Sequence, residues 1–207
     1  MRITLKKILL VGIGLVSAIM FLMVLACNAG FQYHAMGEAT WHAANGSILE
    51  VMGGTDGLNP VIMLDYTTAM FSGGSAIPFN DYAAGVRAVA GAFGYVHLVF
   101  VILSFAALIG GFFIKTVRGA RKLIIPFLAI SIVTGLIAAL VILLTFGLIT
   151  NAGITQNGYT FKFGEVSGGT APIVFWVLGL VFFIAAIIVA GVVPEKVFVG
   201  AKEEEKK

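Results

Sequence analysis

Hydrophobic residues in this chain fall into four long runs that polar segments separate. An α-helix rises about 1.5 Å per residue, so about 20 apolar residues are needed to cross a hydrocarbon layer about 30 Å thick. Each run reaches that length and contains no Asp, Glu, Lys or Arg. The pattern therefore predicts a single membrane domain over residues 1–207, with spans at 8–27, 88–114, 123–150 and 171–193.

The segments between the predicted spans differ in charge. Two loops, at residues 28–87 and 151–170, hold only two of the 13 Lys and Arg residues. The other 11 lie in the N-terminal segment, in a short turn at 115–122 and in the tail at 194–207. Because Lys and Arg accumulate on the cytoplasmic side of membrane proteins, we predict a plasma-membrane protein with both termini in the cytoplasm and both loops outside.

Composition supports lipid as the main partner of the chain. Hydrophobic residues make up 59% and charged residues 11% of the sequence, and the mean hydropathy is +1.04, so the apolar surface exceeds what a water-soluble domain can bury. The net charge of +3 comes from cations beside the apolar runs rather than among aromatic residues, which argues against a nucleic-acid partner.

Small residues four positions apart occur in every predicted span. This spacing lets helix backbones approach closely in lipid, where hydrophobicity does not drive helices together. It predicts a membrane all-α fold, a four-transmembrane-helix bundle. The pairs are Gly14 and Ala18, Ala107 and Gly111, Ser131 and Gly135, and Ala186 and Ala190.

The two outer loops contain sequences typical of strands. Asn157-Gly158 favours a type I′ turn, so we predict a hairpin with strands at 153–156 and 159–163. An isolated hairpin is marginally stable in water. We therefore expect it to pair with "SILEVM" (47–52) and "VIMLDYT" (61–67) in a small extracellular β-sheet formed by both loops.

The chain has one cysteine, Cys27, at the end of the first apolar run. A basic start followed by "VLAC" (24–27) approximates a lipoprotein signal, in which the cysteine is lipidated after cleavage. The apolar core before Cys27 is longer than the 7 to 15 residues or so that are usual for a signal peptide, and it suits a retained span better. Lipidation of Cys27 is the alternative.

His97 lies about a third of the way into the second predicted span. An ionisable residue at that depth is a functional candidate, and no span offers a carboxylate as its partner. We interpret it as a neutral histidine that hydrogen-bonds to a neighbouring helix. The alternative is a haem or metal ligand.

His34, Glu38 and His42 follow one another at four-residue intervals in the first loop. On a helix, residues eight apart are separated by about 12 Å, which is too far for one ion, so the spacing does not predict a metal site. The sequence also lacks a nucleophile elbow, a nucleotide-binding loop and paired catalytic carboxylates. We therefore expect no catalytic residues, no cofactor and no enzymatic activity.

Several residues in the first loop match a known group of four-span proteins. Trp41 is followed by Gly57-Leu58, and Arg87 precedes the second span. With four spans, a long first loop and a short second one, the chain resembles the claudin and peripheral-myelin-protein superfamily, although the cysteine pair of that superfamily is absent. The resemblance implies adhesion, barrier or scaffolding function.

Function is expected to lie in contacts with other proteins, either a second copy of the chain or another membrane protein. One alternative is an accessory subunit that regulates a transporter or channel, and another is a small haem or metal protein using His97. Aromatic residues of the outer loops are the candidate contacts: Trp41, Tyr66, Phe71, Phe161 and Phe163.

Overall fold

The computed structural model describes residues 3–35, 42–44, 46–53, 79–148, 154–156, 159–161, 164–193 and 197–199. The helices are α1 (Leu5–Ala26), α2 (Ile48–Met52), α3 (Phe79–Phe113), α4 (Val117–Ile142) and α5 (Ala171–Val192). The strands are β1 (Ile3–Thr4), β2 (Phe31–Ala35), β3 (His42–Ala44), β4 (Ile154–Gln156), β5 (Tyr159–Phe161), β6 (Gly164–Gly168) and β7 (Val197–Val199).

The four long helices α1, α3, α4 and α5 are each long and apolar enough to cross a membrane, which confirms the four predicted spans. The protein is an integral membrane protein. Two helices begin earlier than predicted because threonine side chains cap them. Thr4 accepts a hydrogen bond from the Lys7 amide, and Thr116 accepts one from the Gly119 amide. Most of the predicted turn at 115–122 is therefore the first part of α4.

The other boundaries of the middle helices also differ from the prediction. α3 begins at Phe79, inside the predicted first loop. The α-helical part of α4 ends at Ile142 and continues as a π-helix, Leu143–Leu148. The Thr145 hydroxyl donates to the Val141 carbonyl at 2.6 Å, which competes with the regular backbone ladder where the change occurs.

Small residues form the contacts between the helices. All eight residues of the predicted small-residue pairs are buried, so the prediction that they face other helices is confirmed. Large apolar side chains lie on both sides of the helices. Phe21, Ile124 and Leu128 are fully buried in the interior, whereas Val99 (53% exposed), Ile109 (63%) and Phe113 (67%) of α3 face outward. The exposed apolar surface suits lipid as the solvent.

A three-stranded antiparallel sheet in the order β3-β2-β6 joins the two loops. β2 belongs to the first loop and β6 to the second, and they pair over five residues, from Phe31 opposite Gly168 to Ala35 opposite Gly164. β4 and β5 form a separate antiparallel hairpin with Ile154 opposite Phe161, which confirms the predicted hairpin.

The prediction of a strand at 47–52 is wrong, because this segment forms α2. The Ser47 side chain accepts from the Glu50 amide at 3.3 Å, and the Glu50 carboxylate accepts from the Ser47 amide at 2.6 Å. This reciprocal capping box satisfies two helix-terminal donors and fixes the helical start. The predicted strand at 61–67 lies outside the described residues.

β1 and β7 pair with each other, so the first and last described segments lie at the same end of the bundle. We call this the terminal end. The opposite end, which carries the β3-β2-β6 sheet and α2, is called the loop end.

Candidate functional site

The loop-end sheet is seated on the bundle through Phe31. Its side chain is 1% exposed and packs in one apolar cluster with Val24 of α1, Ile48 of α2 and Ile142 of α4. Burying an aromatic side chain of this size contributes roughly 1.5–3 kcal/mol. The sheet is therefore attached to the helices by a hydrophobic anchor as well as by chain connectivity.

Two glycines at the end of β6 make room for this anchor. Gly168 and Gly169 have φ angles of +87° and +79°, a backbone conformation that favours glycine. A Cβ atom on Gly168 would meet the Gly30 carbonyl, and one on Gly169 would meet the Phe31 ring. The β6 backbone thus covers the Phe31 ring directly.

The opposite face of the sheet is exposed. Ala43, Gln32 and Ser167 are register partners across β3, β2 and β6, and all three are exposed. We call these three residues the outer row. Because β2 is the central strand and Phe31 points inward, the next residue, Gln32, points away from the bundle. The outer row is a small, uncharged surface held in fixed register.

α2 packs against α3 and the Phe31 cluster at the loop end. The Tyr95 hydroxyl of α3 donates to the Met52 carbonyl at 2.8 Å, and Ile48 is fully buried in the cluster with Phe31. The loop end therefore combines segments of both loops with the tops of the helices in one packed unit.

His97 lies in the interior of the bundle and is fully buried. Its Nε2 is 3.0 Å from the Phe21 carbonyl of α1, and its Nδ1 is 2.9 Å from the Thr134 hydroxyl of α4. A carbonyl oxygen can only accept, so Nε2 carries the proton. In this neutral tautomer Nδ1 accepts a hydrogen bond from the Thr134 hydroxyl, so both ring nitrogens have a hydrogen-bond partner.

Further hydrogen bonds join α5 to α1 and to α4. Ser17 of α1 donates to the Gly179 carbonyl of α5 at 2.8 Å. Trp176 Nε1 of α5 donates to the Ile132 carbonyl of α4 at 2.8 Å. With His97 connecting α3 to both α1 and α4, these bonds form a closed ring around the bundle, which we call the polar ring. In lipid each such bond contributes about 0.6–1.7 kcal/mol.

The geometry does not favour the haem or metal alternative for His97. A metal ligand needs a ring nitrogen with a free lone pair, whereas Nε2 faces a carbonyl and Nδ1 faces a hydroxyl. Ligation would therefore require the loss of one interhelical bond. Gly135 closes the space further, because a Cβ atom there would lie 2.8 Å from His97 Cε1.

The structure does not place the residues of the considered metal cluster on one helix. His34 and His42 lie on the paired strands β2 and β3, where Tyr33, not His34, is the register partner of His42. Glu38 lies outside the described residues. Among the residues that the structure describes, no group of three His, Cys, Asp or Glu is placed to hold a metal ion.

Cys27 directly follows α1 and is 7% exposed. Its backbone amide donates to the Met23 carbonyl at 2.9 Å, and its thiol lies 3.9 Å from the Val24 carbonyl. The thiol is therefore packed inside the protein at the end of α1.

One of the five predicted contact residues, Phe161, lies in the described part of the chain. Phe161 lies in β5 and Arg87 in α3. The other aromatic candidates and the Gly57-Leu58 pair lie outside the described residues: Trp41, Tyr66, Phe71 and Phe163.

The sequence analysis missed the outer row and the partners of His97. Thr134 had a usable signal, since it follows Ser131 by three residues and directly precedes Gly135, both on a predicted packing face. Gln32 had none.

No protein-family model, curated protein or solved structure matches this chain. Its function must therefore be argued from its own residues.

Proposed function

We propose that this protein is a non-enzymatic four-span protein of the plasma membrane that contacts another protein through its loop-end sheet, in adhesion, barrier formation or scaffolding. The pairing of β2 with β6 carries the proposal, because it makes one surface out of two loops. A hairpin or loop alone is too mobile to present a fixed contact surface. Here the Phe31 anchor and the β2–β6 register hold the outer row in place.

Charge supports an external position for this surface. Among the described residues, the acidic ones are Glu50, Asp81 and Glu165, which lie in α2, at the start of α3 and in β6. All three positions are at the loop end, while the cations of α1 and α4 are at the terminal end. Under the rule that cationic flanks stay inside, the termini are cytoplasmic and the loop end is outside.

The sheet also offers backbone groups to a partner. β3 and β6 are its outer strands, and edge strands have hydrogen-bonding groups that a strand of another chain can pair with. Because the outer row is uncharged, a partner that covers it does not have to remove water from a charged side chain. A second copy of the chain or a different membrane protein could supply the partner strand.

Thiol cross-linking from outside the cell tests both the contact and the orientation. Gln32→Cys, in a Cys27→Ser background, is expected to react with a membrane-impermeant thiol-to-amine cross-linker in sealed cells and to give a larger adduct. Mass spectrometry of the adduct then distinguishes a second copy from another protein, including a transporter or channel.

The matched control is Arg118→Cys in the same background, which places an exposed thiol at the terminal end. It is expected to remain unlabelled until the cells are opened. Labelling of Arg118→Cys but not of Gln32→Cys in sealed cells would invert the orientation. Labelling of Gln32→Cys without any adduct would rule against the contact.

We also propose that α1 is retained in the mature protein. Removing it would take away the Phe21 carbonyl that accepts from His97 and the Ser17 hydroxyl that reaches Gly179. It would also expose the buried faces of α3, α4 and α5. A helix that supplies two of the bonds of the polar ring is a structural part of the bundle rather than a removable leader.

The expected intact mass of the purified protein therefore includes residues 1–26. A chain that begins at Cys27 and carries the mass of attached acyl groups would instead establish the lipoprotein alternative. Electrospray mass spectrometry of protein extracted from its native membrane makes this measurement.

A further inference from the structure

A patch of cations covers the terminal end of the bundle. Lys115, Arg118, Arg121 and Lys122 are exposed around the start of α4, and Lys6 is half-buried near the start of α1. None of the described residues at this end is Asp or Glu. We call these five residues the basic patch.

The positions within the patch are electrostatically unfavourable for the isolated chain. Arg118 lies three residues before Arg121 and four before Lys122, so the three side chains share one face of α4 and repel one another. Neither α1 nor α4 has an acidic residue in its first turn. Cations at the start of a helix also oppose the helix dipole, which favours negative charge there.

Lys7 is a buried cation at the same end of the bundle, and its charge has partners within the protein. It is 1% exposed, its ammonium donates to the Ile114 carbonyl at 2.6 Å, and it lies 5.6 Å from the centre of the Phe112 ring. The carbonyl end of α3 and an aromatic face thus receive this charge within the protein. The basic patch lies outside that site, on the surface.

We propose that the basic patch binds the phosphate headgroups of anionic phospholipids in the adjacent leaflet. Three features support this ligand: the density of like charge, the lack of described acidic neighbours, and the position directly beside the apolar surface of the helices. Arginine forks match phosphate oxygens in geometry, and a polybasic segment next to a span is attracted to anionic lipid. The headgroup relieves the repulsion within the patch.

Lipid binding to the purified full-length protein tests the proposal. Native mass spectrometry in mild detergent with equal amounts of phosphatidylglycerol and phosphatidylcholine is expected to show a preference for phosphatidylglycerol. The variant R118Q/R121Q/K122Q is expected to reduce that preference at least about tenfold, since each surface cation near anionic lipid contributes about a fivefold factor before screening by salt.

The matched control, K202Q/K206Q/K207Q, removes the same number of charges from the C-terminal tail. It is expected to keep the preference for phosphatidylglycerol. An equal loss in both variants would show that net charge, not the patch, selects the lipid. If the unaltered protein shows no preference for phosphatidylglycerol, the proposal is overturned. That result is expected if the acidic run at 203–205 neutralises the patch. Displacement of bound phosphatidylglycerol by an equal concentration of inorganic phosphate would overturn the headgroup as the ligand.

Discussion

Replacing Gly179 with alanine is expected to leave the bundle about 2–3 kcal/mol less stable than the same replacement at Gly191. A Cβ atom at this position would lie 2.5 Å from Cε1 and 2.7 Å from Cδ1 of the Phe21 ring, which is fully buried. Because the ring is fully buried, either the ring or the spacing between α1 and α5 must shift to admit the Cβ atom. Overpacking of this kind costs about 1–3 kcal/mol, and separation also weakens the 2.8 Å bond from Ser17 to the Gly179 carbonyl.

Gly191→Ala is the matched control, because it makes the same change in the same helix where a Cβ atom would have nothing within 4 Å. Both variants gain the intrinsic helix preference of alanine, roughly 1 kcal/mol, so their difference isolates the contact with Phe21. Unfolding in mixed micelles of mild detergent and dodecyl sulfate measures both free energies. Equal stability of the two variants would show that α1 and α5 do not pack at Gly179.

The membrane fold could be predicted from the sequence because lipid imposes simple rules. Length and the absence of charge were enough to place four spans, and four-residue spacing of small residues was enough to identify the buried faces. Asn157-Gly158 likewise predicted the hairpin, because this dipeptide favours the type I′ turns that join antiparallel strands. These predictions depend on local features that each residue type carries by itself.

The strand prediction at 47–52 failed because two local signals conflicted. Ile48, Val51 and their neighbours have the apolar composition of a strand, whereas Ser47 and Glu50 have the spacing of a capping box. The cap prevailed because it satisfies backbone donors that a short, isolated strand would leave to water. Giving the serine–glutamate pair more weight would have identified α2.

The polar ring could not be predicted for a different reason. His97, Ser17 and Trp176 all donate to backbone carbonyls, and every residue has a carbonyl, so the acceptor leaves no trace in the sequence. Only the packing of the helices determines which carbonyl is within reach. The same limit applies to the outer row, whose members are brought together by strand register.

The polar ring and the basic patch have different proposed roles. The ring holds the helices together in the interior, and the patch contacts lipid headgroups at the terminal end. Lipid does not drive helices together, so interior hydrogen bonds and small-residue contacts must fix the bundle. The cations of the basic patch lie on the surface of the bundle, where they can face lipid headgroups. The buried Lys7 ammonium instead donates to the Ile114 carbonyl within the protein. In the loop-end sheet, the outer row of Gln32, Ala43 and Ser167 is uncharged and exposed.

His97→Ala is expected to destabilise the protein by about 2–4 kcal/mol. The variant loses the bonds to the Phe21 carbonyl and the Thr134 hydroxyl and leaves a cavity in the middle of four helices. Hydrogen bonds between membrane helices contribute about 0.6–1.7 kcal/mol each, so the two lost bonds account for about 1–3 kcal/mol, and the cavity adds about 1 kcal/mol where the neighbouring helices relax around it. The same mixed-micelle unfolding experiment measures the loss.

A double-mutant cycle with Thr134→Val separates the hydrogen bond from the cavity. Valine keeps the shape of threonine and removes the hydroxyl. In His97→Ala the Thr134 hydroxyl can instead donate to the Ile130 carbonyl, 3.1 Å away, so no buried donor is left without a partner. The coupling free energy between the two positions is therefore expected to be about 1 kcal/mol. Fully additive effects would mean that His97 and Thr134 do not interact. The polar ring would then be open between α3 and α4, although the Ser104 and Ser131 hydroxyls of these helices, 2.9 Å apart, also form a hydrogen bond.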